Sequence, residues 1–186
     1  MEFINGAMEI APVYYVSGNH EARSNKYQTI KNELVNAGVT VLDNEMVSVI
    51  KQDSSIDIYG LSDPDFFTSD YINETNIYQL KEKLEEWSSN KNFKILLSHR
   101  PELFNLYSEN NMDLIFSGHA HGGQFRLPFI GGLVAPNQGI FPKYTSGFYT
   151  NKNSTMFVSR GIGNSIIPLR IFNRPEIAII TLYQQK

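Results

Sequence analysis

All four histidines of the 186-residue chain follow short apolar runs, in the segments Ser-Gly-Asn-His, Ser-His and Ser-Gly-His-Ala-His. Each run is typical of a buried strand, so that an imidazole, or the amide of Asn19, stands in the loop that follows it. Neutral imidazoles suit Zn, Fe, Mn or Ni, and an amide oxygen is a harder ligand compatible with Mn or Fe. The pattern predicts that Asn19, His20, His99, His119 and His121 come together as potential ligands of divalent metal ions.

The two histidines at positions 119 and 121 lie in a loop that also contains glycines at 118, 122 and 123. On an extended strand such residues face the same side, but they stand too far apart to share one ion comfortably. On a pliable glycine loop they could serve two ions side by side, which lie about 3.5–4 Å apart in two-metal hydrolytic sites. Each motif alone has a plainer interpretation, because a histidine at a strand end is more often a hydrogen-bonded loop residue and Gly-Asn favours a turn. The three motifs together favour the metal site.

The three loops can meet only if the strands before them lie side by side. In sheets connected by crossover helices, the loops beyond the carboxyl ends of neighbouring strands converge on one crevice. Apolar runs predict strands over residues 13–16, 39–42, 46–50, 56–61, 93–98, 113–117, 155–160, 166–172 and 176–183. Helical spacing predicts a helix tail over residues 2–9, helices over 25–38 and 77–87, and a short one around 102–107, with 17–21 as a loop. The predicted class is mixed α/β.

Composition narrows the possible classes of protein. The absence of cysteine excludes disulfides and thiolate metal sites, so a metal must be held by His, Asn or carboxylate. A net charge of −3 does not indicate the excess of basic residues that is typical of nucleic-acid-binding domains. A hydrophobic share of 41% over 186 residues fits one globular domain. Neither a signal peptide nor a transmembrane segment is visible in the sequence.

The order Gly-Asn-His-Glu, Ser-His and Gly-His-Ala-His resembles the last three motifs of the calcineurin-like metallophosphoesterases. The resemblance covers nearly the whole chain, and the segments GGQFRLPFIGGLVAPNQGIFPKYTSGFY and SRGIGNSIIPLRIFNRPEI are similar to a bacterial phosphoesterase subgroup. It implies a four-layer α/β/β/α sandwich and a single domain over residues 1–186. It also implies two divalent metal ions as cofactors and a phosphodiester or phosphomonoester as substrate.

The resemblance also implies a role for each site residue. Asn19, His99 and His119 would hold the second metal and His121 the first, while a hydroxide activated by the two metals attacks phosphorus. His20 would be the general acid that protonates the leaving-group oxygen rather than a ligand. The physical logic is that two cations lower the pKa of a shared water and neutralise phosphoryl oxygens.

The sequence departs from the family at its beginning, because the Asp-x-His and Gly-Asp-x-x-Asp motifs that precede Gly-Asn-His in the family are absent. We therefore expect a domain truncated at its amino terminus, without its first β-α-β unit and possessing little activity alone. Asp63 and Asp65 are the nearest candidates to replace the missing bridging carboxylate, although Ser-Asp-Pro-Asp is also ordinary turn sequence. The alternative function is a non-catalytic phosphoesterase-like scaffold or binding module. A mononuclear hydrolase of another fold is disfavoured, since no HExxH pattern occurs.

Several features at the rim of the predicted site leave two interpretations open. Arg100 could bind a substrate phosphate bidentately, or it could form an ion pair with Glu102 or cap a helix. Glu21 could orient His20 or a ligand, or lie exposed in a loop. The apolar segment 127–142 could form a lid or a lipid-facing edge, or pack as a long loop over the core. A missing amino-terminal segment would decide between a cytoplasmic location and one at the membrane or cell wall.

Overall fold

The computed structural model describes residues 1–51, 54–67, 74–163 and 169–183. The α-helices are α1 (Glu2–Met8), α2 (Asn19–Arg23), α3 (Tyr27–Asn36), α4 (Glu74–Ser88) and α5 (Phe104–Glu109). The longer strands, which build one sheet, are β3 (Glu45–Lys51), β4 (Ser54–Leu61), β5 (Phe93–Ser98), β6 (Leu114–Ser117), β11 (Gly147–Asn151) and β12 (Ser154–Val158). The two-residue strands are β1 (Tyr14–Tyr15), β2 (Thr40–Val41), β7 (Arg126–Leu127), β8 (Gly131–Gly132), β9 (Val134–Ala135) and β10 (Gly139–Ile140).

A six-stranded mixed sheet forms the centre of the molecule, in the order β11-β12-β6-β5-β4-β3. The four inner strands are parallel, and both edge strands are antiparallel to their neighbours. The inner strands are short continuous apolar runs, as expected for strands covered on both faces. Because β5 and β6 are parallel neighbours, the loops after Ser98 and Ser117 leave the same edge of the sheet.

The main core lies between this sheet and helices α4 and α5. The helices contribute apolar side chains at helical spacing, and the inner strands contribute side chains from one face. The most completely buried members are Tyr59, Leu61, Leu80, Leu84, Leu96, Phe104, Tyr107, Met112, Ile115 and Met156. This packing holds the ends of β5 and β6, and so the loops that follow them, in fixed positions.

A second, smaller unit carries the amino-terminal part of the predicted site. Strands β1 and β2 pair in parallel, and Leu34, Val39 and Val41 form a small core between them and α3. The unit approaches β4 closely at Gly60, where a Cβ would lie 2.2 Å from the Cβ of Leu42. A glycine at this position therefore lets the β1–β2 unit lie against the large sheet, which brings Asn19 to the edge where β5 and β6 end.

The predicted mixed α/β class is confirmed, with the parallel strands alternating with helices. The four-layer sandwich stays a prediction, because the described residues build one large sheet and three two-stranded ones. No helix in the described ranges combines the length and the apolar character needed to cross a membrane.

Two local predictions were wrong. Residues 19–23, expected in a loop, form helix α2, whose first turn is stabilised because the carboxylate of Glu21 accepts a hydrogen bond from the Gly18 N–H at 2.8 Å. Residues 169–183 were expected to contain two strands but carry only a single bridge between Phe125 and Ile171. A strand needs a neighbour for its backbone groups, and none lies beside 176–183 in the part of the chain described. Residues 166–168 of the first of these segments lie outside the described residues.

Candidate metal centre

Three potential ligand atoms from three separate loops meet at one point of the structure. The Nε2 atom of His99 lies 3.0 Å from Oδ1 of Asn19 and 3.1 Å from Nδ1 of His119. The three residues are 80 and 20 positions apart in sequence, so only the fold brings them together. The structure thus places His99 in direct contact with two of the other three predicted ligands, Asn19 and His119.

The strands predicted from the sequence position these side chains. His99 is the first residue after β5, His119 is the second after β6, and Asn19 begins α2 shortly after β1. Gly18 permits the close approach of the third loop, because a Cβ on it would lie 2.9 Å from the imidazole ring of His99. Any side chain at position 18 would push that ring away from Asn19.

The spacing of the three atoms fits a single divalent cation. Ligands about 2.1–2.2 Å from an ion and at right angles to each other are about 3.0–3.1 Å apart. Without an ion the hydrogen bonds of this group are poorly satisfied. His99 Nε2 carries at most one proton, but it faces two atoms, an amide oxygen and a second ring nitrogen. When that proton is absent, Asn19 Oδ1 and His99 Nε2 present lone pairs to each other, which a cation would accept.

Both imidazoles of this group are held in the neutral form that metal binding requires. Burial, reinforced by the charge of Arg100, lowers the pKa of His119 to about 4. Burial and the charges of His119 and Arg100 lower the pKa of His99 well below its usual range. At neutral pH each ring is therefore neutral, so one of its two nitrogens presents a lone pair.

The second ring nitrogen of His119 contacts two groups that favour opposite tautomers. Nε2 lies 3.1 Å from Oδ1 of Asn137, an acceptor, and 3.1 Å from Nη1 of Arg100, which can only donate. Donation from Nε2 to Asn137 leaves a lone pair on Nδ1, the atom that faces His99. Asn137 thus favours the tautomer of His119 that could bind a cation, in the way that partners of ligating histidines orient them.

The loop that carries His119 and His121 has a strained backbone. The φ angles of both histidines are positive, at 61° and 45°, and this left-handed region costs a non-glycine residue about 1–2 kcal/mol. The loop is held from outside, because the buried amide of Asn173 donates hydrogen bonds to the backbone oxygens of His121 and Gln124 at 2.6 and 3.2 Å. Observed strain at a loop with ligand-type side chains is typical of functional sites.

His121 and His20 lie near this group without being part of it. The side chain of His121 is half-buried, and its pKa is lowered by burial and then by the charges of Arg170 and His20. His20 is exposed on α2, next to Asn19. Its charge contributes to the lowered pKa of His99 as well. The predicted first-metal ligand and the predicted acid are therefore close enough to contribute to the lowered pKa of His99.

Arg100 is fully buried behind the site rather than exposed on its rim. Its Nε and Nη2 atoms donate to the two carboxylate oxygens of Asp63 at 2.7 and 2.8 Å, and Nη2 lies 2.9 Å from Asp65. The carboxylate of Glu102 is 3.6 Å from Nη1, too long for a hydrogen bond. Of the two interpretations of Arg100, these contacts favour the ion pair, with Asp63 as its main partner.

The described residues bring only a small group of potential metal ligands into contact. No cluster of three or more His, Asp or Glu side chains suited to a metal occurs within residues 1–51, 54–67, 74–163 and 169–183, since the convergent group is two imidazoles and an amide. Asp63 and Asp65, considered as replacements for a bridging carboxylate, both direct an oxygen to Arg100. Their charges are therefore already neutralised inside the protein.

Sequence reasoning missed Asn137 and Asn173, which shape the site, and did not predict that Asp63 pairs with Arg100. Asn137 and Asn173 reach it from 18 and 52 positions away, and Asp63 reaches Arg100 from 37. The segment Pro-Asn-Gln-Gly around Asn137 carries a turn signal but nothing that predicts a contact with His119. Such pairings over long distances in sequence depend on the finished fold, and no local pattern marks them.

Comparison with known proteins agrees with this geometry. The family model of the calcineurin-like phosphoesterases matches residues 1–123. The chain is 33% identical to the metallophosphoesterase YkuE of Bacillus subtilis over 90% of its own length and 54% of that protein. It is 27% identical to the phosphodiesterase YaeI of Escherichia coli over 94% of its own length and 59% of that protein.

The chain thus spans less than two thirds of the length of these relatives. No solved structure gives a significant match. The family match covers the segments with Asn19, His99, His119 and His121, and members of this family generally use divalent metals. The chain belongs to the calcineurin-like phosphoesterase family.

Proposed function

We propose that this chain carries one metal site and the leaving-group acid of a metal-dependent phosphoesterase that acts on phosphodiesters or phosphomonoesters. The proposal rests on one observation, the convergence of three potential ligand atoms. His99 Nε2 lies 3.0 Å from Asn19 Oδ1 and 3.1 Å from His119 Nδ1. Family membership supports the reaction class. In this proposal His121 belongs to a second ion, for which the 186 residues supply no Asp-x-His or Gly-Asp-x-x-Asp motif.

Each side chain has a separate task. Divalent cations, when bound, lower the pKa of a water and offset the negative charge that develops on phosphoryl oxygens. His99 and His119 stay neutral at physiological pH because burial depresses their pKa values, and Asn137 Oδ1 offers an acceptor 3.1 Å from Nε2 of His119. His20 is exposed and adjacent to Asn19, where a protonated imidazole donates to the oxygen of the departing group.

The first test separates metal binding from proton donation with two matched histidine variants. We expect the chain to bind about one Mn²⁺, and His119→Ala to weaken that binding by about tenfold or more because it removes a ligand. His20→Ala should leave the affinity within about twofold, since His20 is not a ligand. Isothermal titration with Mn²⁺ measures both. Equal loss in the two variants would refute this division of roles.

The second test concerns hydrolysis. A segment with the two missing motifs, taken from a full-length relative, is fused ahead of residue 1, and turnover of bis-p-nitrophenyl phosphate is compared with that of the chain alone. We expect two ions and a rate increase of about a hundredfold or more on fusion, and a loss of about a hundredfold for His20→Ala in the fused protein. If neither protein binds a metal, the chain is a non-catalytic scaffold.

A further inference from the structure

Residues 125–141 form a small antiparallel flap beside the site. Strands β7 and β8 pair, β9 and β10 pair, and Leu133 links them by donating to Phe125 O and accepting from the Phe141 N–H, both at 2.8 Å. At one end a turn carries Asn137, which contacts His119. At the other end, the turn of residues 128–130 points away from that contact.

This flap exposes an unusual amount of apolar surface. Phe129 is fully exposed at the outer turn, and Ile140 and Phe141 are 73% and 67% exposed. We call the exposed apolar side chains of the flap the flap face; they are Leu127, Phe129, Ile130, Val134, Ile140 and Phe141. Single exposed apolar residues are ordinary, but a contiguous set on one element marks an interaction surface.

The exposure follows from the architecture and not from a frayed loop. The backbone of the flap is hydrogen-bonded along its length, and the outer turn is closed by a bond from the Ile130 N–H to Leu127 O at 3.2 Å. Of the two interpretations of segment 127–142, a packed loop would bury these side chains, whereas the structure leaves them in solvent. The lipid-facing alternative accounts for the exposure.

Charge distinguishes the kind of partner. The stretch of residues 114–175 contains none of the 19 Asp and Glu residues of the chain and six of its 16 Lys and Arg residues. Lys143, two positions after Phe141, is exposed. Aromatic side chains that protrude from a turn, in a stretch of sequence that has cations and no carboxylates, match a bilayer of anionic lipids, where each nearby cation contributes about 1 kcal/mol.

The flap face is continuous with the candidate metal centre. Ile140 is three residues from Asn137, so at most about 11 Å of chain separates the apolar surface from the contact with His119. A lipid head group at the edge of such a bilayer lies within reach of the site, and a distant water-soluble ester gains nothing from the flap.

We propose that the flap face docks on an anionic lipid bilayer and that the substrate is a phosphoester borne by a lipid. The clause on the substrate rests on the proposed function, whereas the docking does not. Peripheral attachment to a membrane surface follows as the location of the protein.

Docking is tested by co-sedimentation of the full chain with phosphatidylcholine vesicles containing about 30 mol% phosphatidylglycerol. We expect binding to these vesicles and about tenfold weaker binding to pure phosphatidylcholine, or after the double change Phe129→Ser and Phe141→Ser. The matched control is Ile177→Ser with Ile179→Ser, which removes two apolar side chains that are also strongly exposed, at 73% and 91%. Leu182, which follows them in the chain, lines a cavity together with Phe93. Phe93 begins β5, whereas His99 follows the other end of that strand. The control should bind like the unaltered chain.

Three outcomes would overturn the docking proposal: no binding to anionic vesicles, an equal loss in the control, or a flap variant that changes only self-association in analytical ultracentrifugation without vesicles. The last would assign the flap face to contacts between copies of the chain. None of these readouts needs a metal or turnover, so failure here leaves the proposed function standing.

The substrate clause has its own test in the fused, active protein. We expect the flap variant to retain turnover of bis-p-nitrophenyl phosphate within about twofold and to lose about tenfold on a phosphodiester lipid presented in the same vesicles. If the ratio of the two rates is the same in the flap variant and in the unaltered fused protein, the proposal of a lipid substrate is refuted. Absence of turnover on both esters in the unaltered fused protein would instead count against the proposed function.

Discussion

At the scale of single residues, His119 shows how one imidazole can be prepared for a cation by its neighbours. Its Nδ1 faces His99, its Nε2 meets Asn137 and Arg100, and its pKa is held at about 4 by burial and by the charge of Arg100. The charge of the nearby guanidinium helps to keep the ring neutral. The same guanidinium is bound on its other edge by Asp63, which favours the ion pair over a contact with substrate.

The ion pair of Arg100 gives a test at this scale. Changing Arg100→Met leaves the fully buried carboxylate of Asp63 without its partner, and we expect the free energy of unfolding to fall by about 3–5 kcal/mol. The double change Arg100→Met with Asp63→Leu should recover part of this loss, because the fully buried carboxylate of Asp63 is removed together with its partner. Urea unfolding measures both. A stability change below about 0.5 kcal/mol, accompanied by a raised KM in the fused protein, would restore the phosphate-binding interpretation of Arg100.

At the scale of elements, the site depends on how closely three strand-to-loop junctions approach. The strands before them are apolar runs that the sequence marks clearly, and they were predicted within about two residues. Helix α2 was missed because its five residues are too few for a periodic pattern, and its stabilising contact is a single carboxylate. The late strands were predicted from composition alone, which cannot supply the neighbouring strand that a ladder needs. Local sequence thus predicts the junctions, while contacts such as those of Asn137 require the assembled fold.

Gly18 offers a test of that close approach. Gly18→Ala would place a methyl group 2.9 Å from the ring of His99, so the ring must move away from Asn19. We expect Mn²⁺ affinity to fall by about tenfold and stability by about 1–3 kcal/mol, the usual cost of overpacking. Gly163→Ala is the matched control, since a Cβ there meets no atom within 4 Å. Calorimetric titration and urea unfolding of both variants check this, and equal effects would show that the contact is unimportant.

At the scale of the whole molecule, buried imidazoles and a buried carboxyl make stability depend on pH in opposite directions. His99 and His119 have folded-state pKa values below those of the unfolded chain, so the unfolded chain binds more protons below about pH 6.5. Burial raises the pKa of Glu102 from 4.5 to about 7, so for this group the folded protein binds more protons between those values. Two histidines oppose one glutamate, and the histidines should dominate.

We therefore expect the metal-depleted chain, measured in chelator, to lose stability as the pH falls from about 6.5 to 4, with His119 alone contributing on the order of 3 kcal/mol. Glu102→Gln removes the opposing contribution. That variant should match the unaltered chain near pH 5 and exceed its stability near pH 8, where the unaltered carboxyl is ionised in a buried place. Excess Mn²⁺ should steepen the acid limb, since a bound ion requires both rings unprotonated. Urea unfolding across this range measures all three, and a flat profile between pH 6.5 and 4 would show that the two imidazoles are not held neutral by the fold.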